Sequence, residues 1–165
     1  MDRAISNLIT ILGLQRDIYT NLYELSKKKR EAIEKQDVNE LDKIVKDEQP
    51  LLFMLTENER ERKNVMAELS KKMDIPADDI TLQAVVDICP AAFLGALKRV
   101  RTELTNIIKE QVSINELNRR LLESRLEYIS FMLDSNRGDF NNAYNDSGTD
   151  ARVRTRGPSV IDFGV

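Results

Sequence analysis

The sequence predicts an all-α protein. Three long antiparallel helices form a coiled-coil-like up-down-up bundle, with a short extra helix before the third and an extended C-terminal tail. Three observations lead there. Apolar residues recur at intervals of three, four and seven along most of the chain, the repeat of helices that each bury one stripe. Glycine and proline fall so that three stretches of more than about 30 residues contain a single breaker each. Hydrophobic residues make up 41 % and charged residues 32 %, but aromatics only 5 % with no Trp, which suits long amphipathic helices better than a large globular core.

The first helix is predicted over residues 2–36, about 50 Å at 1.5 Å per residue. Ile5, Leu8, Leu12, Tyr19, Leu22, Leu25 and Ile33 share its stripe, and Lys27–Arg30 place positive charge near its C-terminal end, where the helix dipole favours it. Gly13 reads as a close helix contact. The second helix is predicted over 37–73, capped by Asp37 or Asn39. Its stripe runs through Val38, Leu41, Ile44, Val45, Leu51, Leu52, Leu55, Val65, Met66 and Leu69. Pro50 should kink or break it. The run Glu57–Lys63 is so charged that little of it should be buried.

Ile75–Asp79 reads as a loop, followed by a short helix from Thr81 to Ile88 capped by Asp79 or Thr81. Pro90 suits the first turn of the third long helix, predicted over 90–136. This helix carries the clearest signal. Phe93, Leu97, Val100, Leu104, Ile107, Gln111, Ile114, Asn118, Leu121, Arg125, Tyr128 and Met132 alternate steps of four and three, a sustained heptad seam. Residues 1–136 thus make a helical bundle domain. Residues 137–165 have the composition of a flexible tail, punctuated by Phe140, Tyr144, Val160, Ile161, Phe163 and Val165.

Several function classes drop out. The chain has no histidine, no Gly-rich phosphate loop, no G-x-S-x-G and no cysteine pair, so neither an enzyme nor a metal or other cofactor is expected. A net charge of −3 argues against a nucleic-acid partner. No apolar run approaches the roughly 20 residues of a membrane span, so membrane insertion is not expected. The single Cys89 suits a reducing compartment, and a cytoplasmic location follows. Cys89 itself reads as a buried inert thiol; its place at a helix start is the one feature that would activate it.

What remains is binding. Gln111, Asn118 and Arg125 interrupt the seam seven residues apart. Two readings stand: polar residues that fix register within the bundle, or, for Asn118 and Arg125, residues beyond the cover of the shorter helices that face a bound segment. The third helix outruns its neighbours by roughly 10 Å on these boundaries. From Leu117 to Leu133 its apolar residues (Leu117, Leu122, Leu126, Ile129, Phe131, Leu133) spread almost all round, leaving a face for a partner helix or for the tail. Self-association of the same seam into a homodimer is the structural alternative.

The ordered set Asn115-Glu116-Leu117-Asn118-Arg119-Arg120-Leu121-Leu122, then Tyr128, then Ala143-Tyr144-Asn145-Asp146-Ser147-Gly148, and last Ile161-Asp162, resembles the FlgN family. In the N-terminal half, Arg30-Glu31-Ala32-Ile33, Asp37, Leu41, Glu48 and Arg62 are similar to that family's helix-turn-helix pattern. The resemblance implies a cytosolic chaperone of the flagellar type III export system. It would bind the C-terminal segments of hook-associated proteins, prevent premature assembly and deliver them to the export apparatus. Carried over by position, it implies partner contacts at Asn118, Leu121, Leu122, Arg125, Tyr128, Ile129 and Met132, with Phe140 and Tyr144 in the tail.

Overall fold

The computed structural model describes residues 1–76 and 80–145, with side chains described no further than Ser135. Among the described residues all regular structure is helical: α1 Asp2–Lys35, α2 Val38–Met73, α3 Leu82–Ile88 and α4 Ala91–Asn145. The chain divides into two compact units, Met1–Arg125 and Leu126–Val165.

In the first unit, local chemistry reverses the chain between α1 and α2 in two residues. Gln36 takes a left-handed conformation (φ 58°), and the Asp37 N–H donates to the Ala32 carbonyl at 2.9 Å, closing α1. The Asp37 carboxylate then accepts from the Glu40 N–H at 3.0 Å and opens α2. Asp37, not Asn39, is therefore the cap. Gln15 bonds Glu59 at 3.0 Å and Lys29 pairs with Glu48, so α2 runs antiparallel to α1. Contacts between α1 and α4 advance together, from Arg16–Glu103 at 2.7 Å to Ser26–Asn115 at 3.0 Å, so these two run parallel.

Pro50 lies inside α2 without ending it, although it has no N–H for the carbonyl four residues back. Thr81 caps α3, accepting from the Ala84 N–H at 3.1 Å; the other candidate, Asp79, lies outside the described residues. Pro90 sits one residue before α4, and its carbonyl accepts from the Phe93 and Leu94 N–H groups.

The apolar core gathers at one end of the long helices. Ala4, Ile5, Leu8 and Leu12 of α1 meet Met66 and Leu69 of α2, Val85 and Val86 of α3, and Leu97, Val100 and Leu104 of α4. The short α3 thus closes the end where α1 begins and α2 finishes. Further along, Ile18, Leu22, Ala32, Ile33 and Ile44 are buried, but beyond Leu104 the only fully buried side chains of α4 in this unit are Gln111 and Asn118. The hydrophobic half of the α4 seam gives way to a polar half.

Several expectations are corrected. Val38, Val45 and Leu52 are exposed, because neighbours pack on only part of α2's stripe. The charged run holds to expectation, since only Asn58 of its seven residues is buried. Gly13 makes no close contact; a Cβ there would meet nothing within 4 Å. The last helix does not end near 136 but continues to Asn145. No proline intervenes, and extending an existing helix costs far less than nucleating one, which outweighs about 1 kcal/mol for Gly138. Phe140 and Tyr144 are therefore helical positions, with side chains outside the described set, as is the rest of the expected tail from residue 146.

Candidate partner-binding surface

A buried polar layer organises the middle of the first unit. Ser26 is fully buried; its hydroxyl donates to Asn115 Oδ1 at 3.0 Å and accepts from Gln111 Nε2 at 3.0 Å. The Ser26 carbonyl accepts from Asn118 Nδ2 at 2.8 Å. Gln111, Asn115 and Asn118 stand on one α4 face at intervals of four and three, which is why one serine can serve all three. Two acceptors are left over. Gln111 Oε1 and Asn118 Oδ1 are buried without a hydrogen-bond partner.

Both residues line a cleft of about 490 Å³, with Tyr19, Leu22, Leu52, Leu55 and the Lys29–Glu48 pair on the opposing walls. A second cleft of about 690 Å³ shares Tyr19 and Leu55 with the first and extends toward Leu82 and Leu104, along Glu59, Arg60, Arg62 and Lys63. Arg62 holds Glu59 with two hydrogen bonds of 2.7 Å. These bonds, helped by Gln15, hold the Glu59 carboxyl below its usual range against the opposing effect of burial, and raise Arg62 in turn. Together the clefts form one open groove between α2 and α4, floored by α1. Sequence reasoning missed it. The signals were Gln15 and Ser26, two polar residues on an otherwise apolar stripe.

In the second unit the described residues Leu126–Ser135 carry an apolar face. Leu126, Tyr128, Ile129, Phe131, Met132 and Leu133 are all exposed, from 44 % at Met132 to 67 % at Phe131. At 100° per residue they cover an arc of roughly 220°, while Glu127, Ser130 and Asp134 occupy the remainder. That is an apolar face of the size that ordinarily marks an interaction site.

The implied contact residues divide accordingly. Tyr128, Ile129 and Met132 are exposed; Leu122 is exposed at 39 % and Leu121 is half-buried in the first unit. Asn118 is only 3 % exposed; its Nδ2 is bonded to the Ser26 carbonyl, while its Oδ1 has no partner. Arg125 is half-buried, its guanidinium donating to the Glu34 carbonyl at 3.4 Å near the end of α1. The end of α1 therefore reaches Arg125. Cys89 is half-buried, and burial, reinforced by the Asp2 carboxylate, pushes its thiol pKa up, so the helix start does not activate it. Among the described residues there is no group of three or more His, Cys, Asp or Glu that could hold a metal, and no helix long and apolar enough to cross a membrane.

An open helical groove and an exposed apolar helix face define a protein-binding helical protein. The family model described as FlgN protein matches residues 1–152, and the chain belongs to that family, the flagellar export chaperones. Its role is that of a chaperone in flagellar biogenesis and type III export, and its partners are proteins. No curated protein and no solved structure matches the chain.

Proposed function

We propose that the protein is a cytoplasmic chaperone that binds the C-terminal helical region of hook–filament junction proteins, prevents their premature assembly and delivers them to the flagellar export gate. The observation that carries this reading is the exposed arc of Leu126, Tyr128, Ile129, Phe131, Met132 and Leu133, on a chain of the export-chaperone family. Left bare, such a face costs about 25 cal/mol per Å2 of apolar area kept in water, and an amphipathic client helix removes that cost. Leu121 and Leu122 belong to the same reading, as do Phe140 and Tyr144 as later positions of α4. Arg125 joins through its stem, while Asn118 fixes register. In this reading α1, α2 and α4 are an up-down-up bundle with coiled-coil-like packing, supported by the antiparallel α1–α2 and parallel α1–α4 hydrogen bonds.

The mechanism is mass-action capping. A client terminus that would order itself against another copy orders itself against the chaperone instead, at the same entropic cost. The test is capture of hook-associated proteins from a flagellated bacterial lysate, identified by mass spectrometry, with the wild type and with Ile129→Glu/Phe131→Glu. Retention by the wild type and loss by the variant, at unchanged helicity, supports the proposal. Equal retention by both refutes the assignment of this face. If no client is retained and the chain sediments as a tight dimer, it is a self-associating structural coiled coil.

A further inference from the structure

We propose that the groove between α2 and α4 is a second docking site. Its occupant is a partner's amphipathic helix that is acidic at one end and carries hydrogen-bond donor side chains about three turns further along. The site lies within the first unit and shares with the proposed client surface only Leu122, at its far end.

Its length matches a helix. Along α4 the groove runs from Leu104 to Leu122, about 27 Å at 1.5 Å per residue. Its floor is apolar, with Leu12, Tyr19 and Leu22 of α1, and Leu52 at 51 % exposure is an unfilled wall position on α2.

Its two ends differ in chemistry. At the Leu104 end Arg60, Arg62 and Lys63 stand against Glu59 alone, and Glu59 is already held by Arg62. Arg60 also pairs with Glu57, but that pair is exposed and weak, so an incoming carboxylate competes for it. At the Leu122 end charges balance: Lys29 holds Glu48, and Arg119 and Arg120 hold Glu116 and Glu123. Here the unmet chemistry is the pair of acceptors Gln111 Oε1 and Asn118 Oδ1. Both go without a hydrogen bond in the free protein; a docked donor side chain relieves that, and a docked apolar one does not. The groove therefore discriminates against purely apolar helices and against reversed ones. The chain's own C-terminal segment carries Asp146, Asp150 and Asp162 beside Arg152, Arg154 and Arg156, so it lacks the acidic end this groove favours.

The test uses fluorescein-labelled synthetic helical peptides of 18 residues and anisotropy on the full chain. The lead peptide has leucines inward, Glu at one end and two inward Gln at the other. We expect saturable binding, at least tenfold weaker when the Glu residues become Lys, and severalfold weaker when the inward Gln become Leu. Gln111→Leu should abolish that preference for Gln, and Leu52→Glu, at an exposed position where folding is safe, should abolish binding while leaving hook-associated protein capture intact. No binding of the lead peptide, equal binding of the Lys peptide, or indifference to Leu52→Glu overturns the proposal. So does a self-associated wild type that Leu52→Glu converts to monomer, which assigns the groove to a second copy. A peptide affinity that rises in Ile161→Asp/Phe163→Asp overturns it in favour of the chain's own terminus.

Discussion

Asn118 gives a mutation whose sign is opposite to intuition. Its replacement by leucine deletes a buried hydrogen bond, Nδ2 to the Ser26 carbonyl at 2.8 Å, worth about 1 kcal/mol net. The same change removes Oδ1, which is buried without a partner and costs about 1–3 kcal/mol as it stands. The Ser26 carbonyl sits mid-helix in α1, where it also faces the N–H four residues on, so it is not orphaned by the loss. Leucine has nearly the same shape and adds apolar burial at a site only 3 % exposed, contributing roughly a further 1 kcal/mol. The expected balance is a stabilisation of about 1–2 kcal/mol, a rise in melting temperature of several degrees for a chain of this size. Urea unfolding followed by circular dichroism measures it, with the slope m checked for constancy. Ser26→Ala is the control with the opposite sign, because it leaves Gln111 Nε2 buried and unpaired, at a cost of about 1–3 kcal/mol. An Asn118→Leu protein destabilised by more than about 1 kcal/mol would refute the reasoning, since it would mean that Oδ1 is well served by tightly held water.

Gly13→Ala should stabilise by about 0.5–1 kcal/mol in the same assay, because alanine favours the helix interior and nothing lies within 4 Å of the new Cβ. Leu97→Ala, at a fully buried core position, should cost about 2–5 kcal/mol. The Glu59 carboxyl is depressed, so its contribution is present above about pH 4.5, its ordinary value, and is lost as pH falls below that toward the folded value. Glu59→Gln should therefore flatten the acid limb of the stability curve, by less than about 1 kcal/mol at this partly exposed pair.

Helix existence and the sites of chain reversal were legible in the sequence because they rest on local chemistry. Asp37 and Thr81 announce their caps, and the seam from Phe93 to Leu104 announces its burial. What was not legible depends on which neighbour happens to cover a stripe. Val38 and Leu52 have the same periodicity as Ile44 yet face solvent, because periodicity specifies a face but not its partner. Asn118 and Tyr128 shared one seam and one implied role, yet Asn118 is 3 % exposed beside Ser26 of α1 and Tyr128, in the second unit, is 57 % exposed. The groove needed three helices at once, and a polar residue such as Ser26 on an apolar stripe does not by itself say what it will meet. The end of α4 was misread for a different reason: Asn, Asp and Gly lower helix propensity without forbidding the helix.

The central claim is that the Leu126–Leu133 face is where the client is held, and calorimetry tests it most directly. The C-terminal segment of a hook-associated protein is titrated into the full-length chain and into Ile129→Glu/Phe131→Glu, at several temperatures and at low and high salt. Apolar capping predicts a clearly negative heat-capacity change, little dependence on salt, and an affinity at least a hundredfold weaker in the variant. A salt-sensitive interaction with no heat-capacity change, or one that the variant leaves intact, would contradict the account.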